Sequence, residues 1–374
     1  MKKVLLGSTA LFAAAALASP AVAADKIKLG LGGYFAGAAA YVDTGDLAGD
    51  NRDYTFGSDS EVHFKGETTL DNGIKVGFKA ELELERDCKA SGIIGSQGTC
   101  SADTIDEVYI YVSGGFGKIE FGQQDGVGEQ MYFGAPQVFQ RVLLTDADLS
   151  PTEKVIANEI DVFTEESDDF TKINYFTPRI SGFQVGVSFT PEADRNSQDF
   201  NAFSQSGGDE IFEAGINFDN KWNDVGIQLS ATYLTARDDG VTGHDSPDMY
   251  ALGAKISYAG FTIGGGYSEK DGLESGLRGS QDPGTTTETT NYEIGVTYDV
   301  GPWTFGVGYA NEDLTASTAA DTQENSKILG GVAYKLGPGI NLGLGVEFNE
   351  QDFALSSVTD HDTTAVFTEF AISF

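Results

Sequence analysis

The chain has 374 residues, among them 48 Gly, 25 Phe and 15 Tyr against 9 Pro, 3 Met and 2 Cys, and a formal charge of −34. A slightly negative mean hydropathy excludes a bundle of apolar membrane helices, and the Gly and aromatic content is atypical of an ordinary soluble domain. The acidic excess makes nucleic acid and anionic lipid poor partners and cations good ones.

At the amino terminus, Met1-Lys2-Lys3, an apolar run from Val4 to Ala18 and the A-x-A pattern Ala21-Val22-Ala23 predict a secretory signal peptide over 1–23. The run is short, Ala-rich and followed by a cleavage pattern rather than a stop-transfer cluster, which argues against a membrane anchor. Removing Lys2 and Lys3 from the 23 basic residues leaves 21 against 57 acids, a charge of −36. Residues 24–374 contain no linker or change of composition and read as one domain. No further segment approaches eighteen uninterrupted apolar residues, so entry into a membrane requires strands that close on themselves.

Two-residue alternation predicts sixteen such strands, over 26–36, 61–70, 74–85, 105–113, 118–124, 171–177, 183–190, 210–218, 224–234, 248–258, 261–268, 290–299, 302–310, 327–336, 340–349 and 363–374. Their connections alternate between short turns, such as Asp71-Asn72-Gly73 and Ala259-Gly260, and long polar loops. That asymmetry, with greasy residues on one strand face and aromatics at strand ends, predicts an all-β fold: a sixteen-stranded antiparallel transmembrane barrel.

Cys88 and Cys100 enclose eleven residues rich in Gly and Ser, a spacing that favours a disulfide within one loop of an exported protein. The third long connection, 125–170, lacks a clear strand pair. It holds eleven acids, Asp125, Glu129, Asp146, Asp148 and Glu153 among them, and two bases, Arg141 and Lys154. Unstructured connections of this length are uncommon unless functional.

His63, His244 and His361 lie in different hairpins or loops with neither metalloprotease spacing nor a Ser/His/Asp set, so no enzyme activity is expected. No cofactor is expected beyond loosely bound Ca²⁺ or Mg²⁺ on Asp-rich loops, and no metal ligand set is assigned. The last residues, TTAVFTEFAISF, alternate apolar and small or polar side chains and end on Phe374, which predicts a last strand with Phe374, Ile372 and Phe370 on the lipid face that closes the barrel by pairing with the first strand near Lys28 to Tyr34.

The stretch Gly114-Gly115-Phe116-Gly117-Lys118-Ile119-Glu120-Phe121-Gly122-Gln123-Gln124-Asp125 resembles the signature that precedes the constriction loop of general bacterial porins of the Gram-negative outer membrane. Ile173-Asn174-Tyr175-Phe176-Thr177-Pro178-Arg179-Ile180-Ser181-Gly182-Phe183 is similar to the signature that follows it, and Phe374 to the family's assembly signal. Gln123 departs from the family's frequent Arg.

The resemblance implies a water-filled trimeric barrel of alphaproteobacterial type, whose third long loop folds inward, and which passes ions and small hydrophilic solutes by passive diffusion. Its partners would be outer-membrane lipid and lipopolysaccharide, the barrel-assembly machinery that reads Phe374, and small solutes and cations. If Leu70 lies opposite Ile74, then Lys65 faces Lys79, His63 faces Glu81 and Glu61 faces Glu83, all toward the lumen. A like-charged Lys pair calls for acids nearby, expected from the inward loop. The expected constriction therefore combines Asp125, Glu129, Asp146, Asp148 and Glu153 with Lys65, Lys79, His63 and Glu81, in a channel that prefers cations. A solute-specific outer-membrane channel and a secreted β-rich adhesin or lectin are the alternatives.

Overall fold

The computed structural model describes residues 26–45, 53–84, 87–88, 100–101, 105–145, 147, 149–152, 160–164, 167–192, 209–237, 248–271, 286–316, 322–353 and 360–374. The expected signal peptide lies outside them. Sixteen strands close into one antiparallel barrel. They are β1 (Lys28–Asp43), β2 (Tyr54–Thr69), β3 (Lys75–Glu83), β4 (Val108–Gly114), β5 (Gly117–Gln123), β6 (Thr171–Phe176), β7 (Phe183–Glu192) and β8 (Asp209–Trp222). The second half comprises β9 (Val225–Thr235), β10 (Asp248–Tyr258), β11 (Phe261–Asp271), β12 (Thr286–Val300), β13 (Trp303–Ala316), β14 (Thr322–Gly337), β15 (Ile340–Phe353) and β16 (His361–Ser373).

Each strand pairs with its neighbours in sequence, and the closed ladder leaves no row of unpaired amides, which in hydrocarbon would cost several kcal/mol per group. Outward positions carry the exposed apolar side chains, such as Leu29 and Leu31, Phe183 and Val185, Leu342 and Leu344. Aromatics form two girdles. Toward the short turns Phe261 stacks on Tyr298 at 4.3 Å and Trp303 meets Tyr334 at 4.6 Å; toward the long connections lie Tyr250, Tyr267, Tyr292 and Tyr309. Tyr250 and Tyr258 at the two ends of β10 are about 26 Å of strand apart, enough to bracket the lipid core. The tight turn Ala259-Gly260 has positive φ at both positions, 51° and 87°, the backbone twist that two-residue hairpins require.

Closure differs from the sequence expectation. The last strand was expected to pair near Lys28 to Tyr34, but β16 runs against Tyr34–Asp43, from Tyr34 opposite Ser373 to Asp43 opposite Thr364. The Lys28–Gly33 end of β1 pairs instead with Val62–Glu67 of β2. Tilted strands in a barrel must stagger their register, and the offset at closure is that stagger. Phe374 continues the ladder by exchanging two backbone hydrogen bonds with Gly33, each 3.0 Å, and its exposed ring lies on the outward side with Phe370. In the second long connection, a two-residue ladder sets Cys88 opposite Cys100.

Candidate functional site

The third connection enters the lumen and is held there by inward-facing wall side chains. After Asp125 a single helical turn, α1 (Val127–Gln130), starts against β7 and β8, where Ser188 Oγ accepts the Val127 amide at 2.9 Å and Glu213 accepts the Gly128 amide at 2.7 Å. The chain then passes round the wall. Asn217 of β8 donates to the Met131 carbonyl, Ser230 of β9 accepts the Phe133 amide, and Glu293 of β12 accepts the Ala135 amide and the Tyr132 hydroxyl. Glu369 of β16 accepts three successive amides, those of Gln140, Arg141 and Val142, at 2.9–3.0 Å. Ser150 and Thr152 donate to Glu347 of β15, and Lys327 of β14 donates to the Leu143 carbonyl. A backbone lying across a lumen has orphaned amides and carbonyls, and these buried side chains satisfy them.

Two further contacts fix the loop. Arg141 lies 3.6 Å from the Tyr34 ring centroid and 3.2 Å from Asp59, tying it to β1 and β2. Beneath it, Phe139, Val142, Leu144, Ile160 and Val162 pack against Ala36, Ala40, Ala365 and Phe367 in an apolar core inside the barrel. Glycines of the wall leave room for the loop's apolar side chains. A Cβ on Gly343 would lie 2.6 Å from Phe139 Cδ1, one on Gly308 2.6 Å from Leu144 Cδ2, and one on Gly186 2.5 Å from the Met131 sulfur. Gly343→Leu is therefore expected to force Phe139 off the wall, since overpacking costs about 1–3 kcal/mol. Faster tryptic cleavage after Arg141 in the folded barrel, compared with wild type, is the measurement that checks it.

The ladder between β2 and β3 has the expected register, with Lys65 opposite Lys79, His63 opposite Glu81 and Glu61 opposite Glu83. The acids that offset the Lys pair have a different origin from the one expected. Lys79 contacts Glu81 of its own strand at 2.7 Å and Glu107, from the end of the second connection, at 2.5 Å. Glu107 comes from the wall rather than the inward loop because β4 begins beside β3, one residue beyond it. His63 sits between Glu61 (2.7 Å) and Glu81 (3.2 Å), one carboxylate at each ring nitrogen.

Asp125 and Glu129 both lie at the loop's entry into the lumen, and burial, then the neighbouring Glu107, pushes the Asp125 carboxyl up to about 7. Asp146, Asp148 and Glu153 lie outside the described residues. Glu61, His63 and Glu81 form one group with ligand atoms within 4.8 Å of one another, and Glu107, Asp125 and Asp169 another; these are the described residues that could hold a cation. Sequence inspection missed Tyr34, Asp59, Glu213, Glu293, Glu347 and Glu369. Lone inward acids on otherwise small or apolar strand faces, such as Glu369 between Phe367 and Ala371, were the available signal.

The Gram-negative porin family model matches residues 10–354. The chain belongs to the Gram-negative porin family. This porin is 22% identical over 425 residues to an uncharacterised protein of Rickettsia prowazekii, covering 91% of each chain, and 24% identical over 392 residues to one of Rickettsia conorii, covering 90% and 84%. Its barrel resembles the anion-selective porin of Comamonas acidovorans (17% identity, TM-score 0.60), covering 93% of this porin and all of that chain. It also resembles OmpF of Salmonella typhi (15%, 0.61, covering 93% and 98%) and the trimer form of OmpT of Vibrio cholerae (14%, 0.57, covering 94% and 100%). At these identities the likeness is one of fold. Family and fold together make the porin an outer-membrane channel.

Proposed function

We propose that this porin is a passive diffusion channel for ions and small hydrophilic solutes, prefers cations, and works as a homotrimer in the outer membrane once residues 1–23 are removed. The observation that carries the reading is the third connection, seated across the lumen by Glu213, Glu293 and Glu369 through its backbone amides and by Glu347 through the Ser150 and Thr152 hydroxyls. An inward loop narrows a water-filled barrel into a size filter, and fixed charge at the narrowing sets ion preference. The charge of the mature chain favours cations. A trimer is supported by the trimeric Vibrio relative. Lipopolysaccharide and lipid would surround it, assembly machinery would read Phe374, and Ca²⁺ or Mg²⁺ would bind loosely to carboxylates. Cys88 and Cys100, opposite each other in backbone pairing, would form the loop disulfide.

Planar-bilayer recordings across a KCl gradient test pore formation and ion preference at once. The reversal potential should favour K⁺ over Cl⁻, and neutralising Asp146, Asp148 and Glu153 together should reduce that preference. An anion-selective wild type would refute it and would assign control to the wall lysines. Liposomes carrying the protein should swell in small sugars at rates that fall with solute size.

A further inference from the structure

We infer, building on the channel reading, that the lumen carries two charge zones in series, acidic at and beyond the inward loop and basic on its turn side, and that this axial junction makes the channel rectify. On six strands, the residue that meets the loop can be compared with a lysine on the same inward face. On β5, Glu120 holds Gln130, and Lys118 is two residues nearer the turns; on β8, Asn217 holds Met131, and Lys221 is four nearer. On β10, Gly253 abuts the Phe133 carbonyl and Lys255 is two residues nearer; on β14, Gly331 abuts Phe139 and Lys335 is four nearer. Asp59 on β2 and Tyr34 on β1 meet Arg141, and Lys65 and Lys28 each lie six residues nearer the turns. In every case the lysine lies on the turn side of the loop.

The acids sort the other way. On the turn side the inward strand carboxylates are Asp219, Asp299 and Glu67, the last paired with Lys75 at 2.9 Å. At the loop and beyond it lie Glu81, Glu107, Glu120 and the four loop-holding glutamates. Four inward lysines, Lys79, Lys172, Lys270 and Lys327, also lie at or beyond the loop, but the seven carboxylates named there outnumber them, whereas lysines outnumber carboxylates on the turn side.

Fixed charges of opposite sign in series act on mobile ions as a junction. When the loop side is positive, K⁺ enters through the acidic zone and Cl⁻ through the basic zone; both accumulate at the loop and conductance rises. With the opposite polarity both zones are depleted and conductance falls. The effect needs a screening length comparable with the bore, about 10 Å in 0.1 M salt but about 3 Å in 1 M.

The test is single-channel recording at +100 and −100 mV, with orientation read by streptavidin added to one chamber against a biotin placed in the 238–247 connection. Currents in 0.1 M KCl should differ about twofold, larger with the loop side positive, and become nearly symmetric in 1 M KCl. The combined variant Lys221→Gln, Lys255→Gln, Lys335→Gln should conduct with the asymmetry lost, while the corresponding Arg variant keeps it. Symmetric currents in 0.1 M KCl, the opposite sense, or asymmetry that persists in the Gln variant would overturn the inference. An absence of conductance would instead remove the channel reading, and this inference with it.

Discussion

Glu369→Ala should give a wider and noisier channel in a barrel that still folds. One carboxylate accepts the amides of Gln140, Arg141 and Val142, and truncation leaves three buried donors without an acceptor. Each orphaned donor costs about 1–3 kcal/mol, more than the remaining contacts of a four-residue stretch can absorb. Residues 139–142 should therefore leave the wall, taking Phe139 off Phe367, with which it makes a 4.8 Å edge contact. Barrel pairing does not depend on this side chain, because β16 is held by backbone ladders on both sides. Glu369→Gln keeps one of the two accepting oxygens, so its conductance and current noise should fall between those of wild type and the Ala variant. If the Ala protein is heat-modifiable like wild type yet has unchanged conductance, Glu369 does not position the loop.

Deleting Phe374 should sharply lower the yield of heat-modifiable oligomer in outer membranes while leaving export intact. The residue completes closure at the point where β1 and β16 part: its amide and carbonyl both bond Gly33. Removing it exposes the Gly33 amide and carbonyl at the barrel edge, where each unsatisfied group in hydrocarbon costs several kcal/mol. Phe374→Ala keeps those two bonds and loses only the ring. A smaller loss in that variant would separate backbone closure from recognition of the aromatic, and wild-type oligomer levels in the deletion would refute both roles.

The barrel was legible in the sequence because one face of every strand touches lipid. Residues such as Phe305 and Val307 or Leu342 and Leu344 must be apolar there, and the alternation marks both the strand and its orientation. Several strands nonetheless run further than expected at the loop end, among them β1 to Asp43, through a Gly- and Ala-rich stretch with little alternation, and β13 to Ala316, where the outward side chains turn polar while the backbone ladder continues. The Lys65–Lys79 register followed from a single turn, since Asp71-Asn72-Gly73 fixes which residues face each other. The seat of the loop was not legible. Gly343, Gly331 and Gly308 become neighbours only when β13, β14 and β15 pair, and a glycine on a strand face reads as weak strand former rather than as a place kept clear for Phe139 or Leu144. Glu369 is buried and accepts main-chain amides 227–229 residues away in sequence, a pairing that only the folded barrel makes.

Glu369 also dictates an order of events. The loop is made between β5 and β6, before most of the wall exists, but the acceptor for its central amides arrives with the last strand, beside the Tyr34 and Asp59 that receive Arg141 from the first two. Until the two chain ends meet, that part of the loop has nowhere to dock. A half-built sheet can seat the loop only where β7 to β15 meet it, and the segment around Arg141 locks when the ends join, so the narrowing is completed by closure itself.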